Sequence, residues 1–210
     1  MISLNVQLKG RKVVVAGGGL VATRRVRKLL DEEACITVVS PELTEELKEM
    51  AGQSKIKWKQ RAFTSGDVKE AFLVVIATND AEANENIASY SVDVPLVNRA
   101  DGGEGNVQFP AQVERGMLKF SVTTSGASPK LTRKIKRDLE ALYPPEYEAY
   151  VDFLYEARKV LKQKGLSEEV QMKYLKDLLE DRFKDAGEQK NMLEEIHRAG
   201  EERSSGRVRK

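Results

Sequence analysis

The chain has 210 residues, a net charge of +2, 40% hydrophobic and 32% charged residues, enough for one ordinary domain and a smaller appendage, with no global basic field that would call for nucleic acid. One cysteine, Cys35, and one histidine, His197, exclude an internal disulfide framework and leave too few nitrogen and sulfur ligands for a zinc or iron cage in one chain. No apolar run reaches the roughly 20 residues of a membrane helix and no signal peptide opens the chain, so the expected setting is the cytoplasm, without a membrane partner. Cys35 sits in an apolar run and reads as buried; His197 lies in a charged helical segment and reads as a solvated helix residue.

In chain order, Ile2, Leu4, Val6 and Leu8 alternate with polar residues and read as a lead-in strand or a cover. The β-branched run Lys12–Ala16 then predicts a buried strand, Gly17-Gly18-Gly19 a turn, and Val21, Val26, Leu29 and Leu30 a helix reaching about Asp31. The spacing Gly17-x-Gly19-x-x-Ala22 is a dinucleotide-binding pattern with a physical task at each position. Gly17 allows the tight turn, Gly19 lets backbone approach a pyrophosphate, and Ala22 keeps the helix near the strand. The helix start at Leu20 and Val21 offers free N–H groups and partial positive charge to the phosphates. A second strand, Cys35–Val39, completes a βαβ unit.

That strand ends at Ser40-Pro41-Glu42, where such folds meet the adenosine ribose, commonly through an acidic residue. Ser40 stands at the expected acidic position and Glu42 two residues on, which leaves NAD and NADP both open. No arginine follows closely to greet a 2′-phosphate and Glu42 would repel one, a balance that favours NAD. Pro41-Glu42 also reads as a plain start for a helix over Leu43 to Met50. Strands are predicted at Ile56–Arg61 and Phe72–Ala77, the latter ending in a second cofactor-facing loop, Thr78-Asn79. Asp80 reads as the cap of a helix over Ala81–Tyr90.

A fifth strand, Pro95–Asn98, runs into the glycine-rich stretch from Arg99 to Asn106. Asp101 there reads either as a base at the carboxyl edge of the sheet or as part of a turn; a base would need burial to raise its pKa from about 3.9. Val107–Val113 and Met117–Thr123 read as a hairpin turning at Glu114-Arg115-Gly116, and the alternation of strand and helix ends near Ala111. Ser128 as cap and Pro129 at the first helical position start a helix to Leu142. Ser125, Gly126 and Ser128, with Lys130, Arg133 and Lys134, form a candidate anion pocket for a carboxylate-rich ligand; capping plus a solvated basic face is the plainer alternative. Pro144-Pro145 stops that helix. Two or three amphipathic helices follow to Gly200, with breaks near Gly165–Ser167 and Gly187, and 201–210 reads as a disordered polar tail. Tyr147, Tyr150, Phe153, Tyr155 and Tyr174 read as packing residues.

Val14–Arg25, Ala77–Asn79, Val97–Asp101, Phe109-Pro110-Ala111 and Thr124–Glu140 together resemble the precorrin-2 dehydrogenase family, which includes the amino-terminal module of siroheme synthase. The resemblance covers roughly the first 140 residues. It implies a Rossmann-like, doubly wound parallel α/β sheet over 1–111 that binds NAD, a small mixed dimerisation region over 112–145 and an α-helical domain over 146–200. It further implies NAD-dependent oxidation of precorrin-2 to sirohydrochlorin in a homodimer that binds the tetrapyrrole between its parts. The family's aspartate after strand five falls on Asp101, and its serine near substrate on Ser128. Some relatives also insert iron, so a bifunctional dehydrogenase and ferrochelatase is one alternative and a nucleotide-sensing module without chemistry another. The loop before Pro110 is one residue shorter than the family pattern, with Phe109 directly against the proline.

Overall fold

The computed structural model describes the backbone of residues 2–205 and the side chains of residues 2–198. It divides into two units, Met1–Phe109 and Pro110–Lys210. The first holds five parallel strands, β1 (Lys12–Ala16), β2 (Cys35–Val39), β3 (Lys57–Lys59), β4 (Leu73–Ile76) and β5 (Leu96–Arg99), in the order β3-β2-β1-β4-β5. Helices α1 (Leu20–Asp31), α2 (Glu45–Gly52) and α3 (Ala81–Tyr90) and a 3-10 turn at Ser65–Val68 make the crossovers. This is the doubly wound Rossmann-like α/β fold.

The central strands β1 and β4 are apolar on both faces because helices cover both. Val13, Val15, Val38, Leu73 and Val75 pack with Ala22, Val26 and Leu29 of α1 on one side. Val14, Ala16, Val39, Val74 and Ile76 pack with Ile87 of α3 on the other. After β3 the chain returns to the far side of β1, so neighbouring strands β1 and β4 carry their crossovers in opposite directions. Their carboxyl ends therefore part to leave a crevice, the usual ligand position in open α/β sheets.

Three local expectations are corrected. Ile2 to Leu8 form no strand: Ile2 and Leu4 are largely exposed and only Leu8 joins the core, since alternation cannot supply a strand edge to pair with. Cys35 is exposed, because its register opposite Lys12 sets it at the first rung of the sheet, outside the core. Val107–Pro110 is not strand either; Val107 makes one backbone bond to the Val97 carbonyl (3.2 Å), and pairing begins only at Ala111.

The second unit opens with an antiparallel hairpin, β6 (Ala111–Arg115) and β7 (Leu118–Val122), followed by α4 (Pro129–Leu142), α5 (Tyr147–Gln163), α6 (Glu168–Asp177) and α7 (Ala186–Ser205). Arg115 caps the end of α4, donating from Nε to the Tyr143 carbonyl at 2.8 Å. Tyr150, Phe153, Ala157, Leu161, Leu178, Phe183 and Ile196 form a core of their own, and the Tyr150 hydroxyl donates to the Leu178 carbonyl (2.8 Å). Tyr155, expected to pack, is 53% exposed. His197 is exposed on α7, as expected. Helix α7 continues through Ser205 into the stretch expected to be a disordered tail; residues 206–210 lie outside the described residues.

Candidate functional site

The turn between β1 and α1 is built by close packing. Gly17 has φ +108°, and a Cβ there would collide with the Ala77 carbonyl; one at Gly18 would collide with the Glu42 carbonyl. Both positions are therefore closed to larger residues by the protein itself. Gly19 differs, because a Cβ there would meet nothing within 4 Å. The open space above it is where a ligand can approach. Gly19 caps α1 with no side-chain bond, so the first N–H groups of the helix face that space with their dipole.

Backbone and hydroxyl bonds fix this turn. Gly17 N–H donates to the Val39 carbonyl (3.0 Å) and Thr44 N–H to the Gly18 carbonyl (2.9 Å). Thr23 Oγ1 lies 2.9 Å from Thr44 Oγ1 and donates to the Gly19 carbonyl at 3.0 Å. Thr44 in turn caps α2. The turn is thus a preformed cradle, with few degrees of freedom to lose on binding.

A cavity of about 640 Å³ opens from it. Gly17, Gly18 and Gly19 line one wall, Ser40, Pro41 and Glu42 at the end of β2 another, and Thr78 and Asn79 at the end of β4 a third. Eight of the ten residues expected to hold the cofactor therefore meet here. Leu20 and Val21 line no part of it; they lie at the helix start, exposed at 70% and 46%, and can contribute only their backbone N–H groups. Phe63, Asn86 and Tyr90 also line the cavity and were not expected. Phe63 and Tyr90 bring aromatic surface to the cavity, which suits a flat base. Helical spacing of Ala83, Ile87 and Tyr90 was the available signal for this face of α3. Asp80 caps α3 as expected, accepting from Ala83 N–H at 3.0 Å.

The residues fit a dinucleotide: small residues at a pyrophosphate position, unpaired helix N–H groups, and a cavity of the size that small-ligand sites have.

Asp101 stands in a hydrogen-bonded cluster beyond β5. Arg99 grips it with Nε (3.1 Å) and a terminal nitrogen (2.7 Å) while also donating to Glu85 (2.6 Å). Asn84 Nδ2, buried in α3, donates to Asp101 (3.1 Å) and to the Thr78 carbonyl (3.2 Å), and Thr78 Oγ1 donates back to Asn84 Oδ1 at 2.7 Å. The cavity-lining loop at Thr78 and Asp101 thus share one network. Its effect on acidity is opposite to what a neutral-pH base requires. The Arg99 guanidinium outweighs burial and lowers the Asp101 carboxyl to about 2, with Gly103 N–H assisting. The partners Arg99, Asn84 and Glu85 were missed; Arg99, two residues before Asp101 at a strand end, was the readable hint. A Cβ at Gly103 would press on the Arg99 guanidinium and push it from its place beside Asp101.

In the second unit Ser128 caps α4, its Oγ accepting from Leu131 N–H at 3.2 Å, while Ser128 N–H donates to Thr124 Oγ1 at 3.0 Å. Ser125 and Gly126 turn the chain with φ of +50° and +87°. Ser125, Gly126, Lys130, Arg133 and Lys134 are exposed, and Lys134 pairs with Asp138 at 3.7 Å. Within this unit they form an open basic ledge. Among the described residues no group of three or more His, Cys, Asp or Glu side chains is placed to hold a metal, and no helix is long and apolar enough to cross a membrane.

Three family models match in succession: NAD(P)-binding over residues 4–111, sirohaem biosynthesis protein central over 115–142, and SirC C-terminal domain over 147–192. A precorrin-2 dehydrogenase of Priestia megaterium is 36% identical over 200 residues, covering 94% of this chain and 99% of its own length. One from Bacillus subtilis is 40% identical over 160 residues, covering 76% of this chain and 99% of its own. Siroheme synthases also match, with this chain spanning about a third of their length; that of Actinobacillus pleuropneumoniae is 32% identical over 159 residues. Among solved structures, one of SirC, a precorrin-2 dehydrogenase, superposes with TM-score 0.84 at 36% identity, covering 94% of this chain and all of that one. The chain belongs to the precorrin-2 dehydrogenase family.

Proposed function

We infer that this chain is an oxidoreductase that converts precorrin-2 to sirohydrochlorin in siroheme biosynthesis, with NAD as its oxidant. The observation that carries the reading is the glycine cradle: a turn closed to side chains at Gly17 and Gly18 and open at Gly19, in a chain matching precorrin-2 dehydrogenases over their whole length. The reaction removes two electrons and two protons from the tetrapyrrole framework. One hydrogen leaves as hydride, which the bound nicotinamide accepts, and the other leaves as a proton.

The chain's own residues supply position and charge. Gly17, Gly18 and Gly19 with the N–H groups of Leu20 and Val21 hold the pyrophosphate, Ser40, Pro41 and Glu42 meet the ribose, and Thr78 and Asn79 cover the coenzyme from β4. Choice of NAD over NADP is supported by Glu42, whose charge opposes a 2′-phosphate. Asp101 is our candidate for the proton. It is ionised at neutral pH and accepts only when Arg99 is drawn off, a task for which a carboxylate of the substrate is a suitable competitor. Ser125, Gly126, Ser128, Lys130, Arg133 and Lys134 of the second unit are proposed to bind a carboxylate-rich ligand.

The exposed apolar stripe Leu131 and Leu142 on α4, with Met117 beside the hairpin, supports a homodimer that covers it. A single exposed cysteine fits a reducing cytoplasm. The metal-inserting alternative is not favoured. Purified protein supplied with precorrin-2 and NAD⁺ is expected to yield NADH and sirohydrochlorin in equal amounts, with no acceleration of Fe²⁺ insertion into sirohydrochlorin. Failure to form NADH would overturn the reading, and accelerated insertion would restore the bifunctional one.

A further inference from the structure

Beside the cavity, on the β3 side, lies a carboxylate that the proposed reaction does not use. Asp67, in the 3-10 turn, has a side chain only 1% exposed, and both its oxygens are fully engaged. Oδ1 accepts from Lys59 Nζ (2.7 Å) and from one terminal nitrogen of Arg61 (2.7 Å); Oδ2 accepts from the other (2.7 Å), from Thr64 N–H (2.9 Å) and from Thr64 Oγ1 (3.1 Å). Arg61 also donates to the Ala62 carbonyl at 2.9 Å.

The place of these cations gives the cluster its meaning. Lys59 is paired in register with Val39, and its carbonyl accepts from Ser40 N–H at 3.2 Å. Val39 and Ser40 line the cavity, as do Ala62 and Phe63 immediately after Arg61. Two cations therefore stand one strand and one residue away from the wall that meets the ribose, yet neither lines the cavity. Their side chains, each a little under half exposed, are turned to Asp67.

We propose that Asp67 governs coenzyme choice by withholding Lys59 and Arg61 from the ribose end of the cavity, so that no cation there can pair with a 2′-phosphate. The inference rests on the assignment of this cavity to the adenosine half of the coenzyme. A 2′-phosphate needs bidentate or charge-assisted donors to offset its desolvation, and an arginine is the usual supplier. In this chain Arg61, next to the cavity-lining Ala62, has both terminal nitrogens committed to Asp67, and Glu42 lines the wall at the end of β2. The device is a specificity determinant that never touches the coenzyme.

The test measures dissociation constants for NAD⁺ and NADP⁺ by calorimetry, together with melting temperature. Asp67→Asn is expected to shift the ratio of the two constants toward NADP⁺ by about tenfold, the size of one charge-assisted hydrogen bond. Adding Arg61→Gln and Lys59→Gln to that variant is expected to abolish the gain. A folded Asp67→Asn protein with an unmoved ratio, or a gain that survives loss of both cations, would overturn the proposal. With Asp67 intact, Arg61→Gln and Lys59→Gln are each expected to leave the ratio unchanged, and this arm applies even where Asp67→Asn does not fold. Selective loss of NADP⁺ affinity in either would mean the cations already reach the cavity, and would also overturn it. Wild-type protein that binds neither dinucleotide would instead overturn the cavity assignment.

Discussion

The two units solve the problem of burying apolar surface differently. In the first, every long apolar run finds its cover within the same unit: β1 and β4 lie between α1 on one face and α3 on the other, and Val15, Val38, Val74 and Ile76 have no exposed surface. In the second, α5 to α7 bury a comparable set around Phe183 and Leu178, but α4 contains no buried residue although its apolar positions recur at helical spacing. The first unit covers its own sheet and presents a preformed cradle; on α4, Leu131 and Leu142 are left exposed by the described residues. A preformed cradle suits binding of a flexible dinucleotide, because the protein itself has little to order, and an exposed apolar face suits assembly.

Truncating each core separately breaks the comparison most forcefully. Phe183→Ala is expected to destabilise the helical unit by about 3–5 kcal/mol while NAD⁺ affinity persists. Gly18→Ala, which drives a methyl into the Glu42 carbonyl, is expected to destabilise the sheet unit by about 2 kcal/mol and abolish binding. Calorimetric unfolding with and without NAD⁺ separates the two. If either substitution melts both units together, the two cores do not unfold separately.

Leu142→Glu sharpens the contrast at the uncovered face, where Leu142 is 64% exposed. Sedimentation equilibrium is expected to show self-association weakened about tenfold or more, with unchanged melting of the sheet unit. An unaltered association constant, or no self-association of the wild type, would count against a homodimer formed through this face.

The smallest effect concerns acid. The carboxyls of Asp67 and Asp101 are both held below their ordinary values, chiefly by Arg61 and Arg99 respectively. A lowered folded-state pKa stabilises above the unfolded value near 4 and the contribution is lost as pH falls through the folded value. Melting temperature followed from pH 7 to pH 2 should therefore drop below about pH 4, and Asp101→Asn should flatten part of that limb. A limb that is unchanged in the variant would deny Arg99 and Asp101 their pairing.

Much of the first unit was legible because local chemistry and final environment agree. The run from Lys12 to Asp31 carries strand, turn and helix signals that nothing later overrides, and Ala81–Tyr90 is helix over the range its cap predicts. Ser128 and Pro129 likewise mark the start of α4. What escaped depends on pairing across the chain. Alternation at Ile2 to Leu8 implies a strand only if an edge is free to receive it, and the apolar stretch at Cys35 implies burial only if its register is interior. The clusters Arg99–Asp101–Asn84 and Lys59–Arg61–Asp67 join β3, β5, α3 and a 3-10 turn that only the fold brings together. Of the candidate site, the glycine turn and the ends of β2 and β4 could be read from sequence. Phe63 and Tyr90 were legible only in part: helical spacing marks the face of α3 that carries Tyr90, but Phe63, beyond the end of β3, reaches the same cavity only through the fold.

The cradle is tested most directly by Gly19→Val. Because a Cβ at Gly19 meets nothing within 4 Å, the variant is expected to melt close to the wild type while its NAD⁺ affinity, measured by titration calorimetry, falls about a hundredfold, equivalent to one or two charge-assisted hydrogen bonds. Undiminished affinity in a folded Gly19→Val protein would contradict the placement of the coenzyme at this turn.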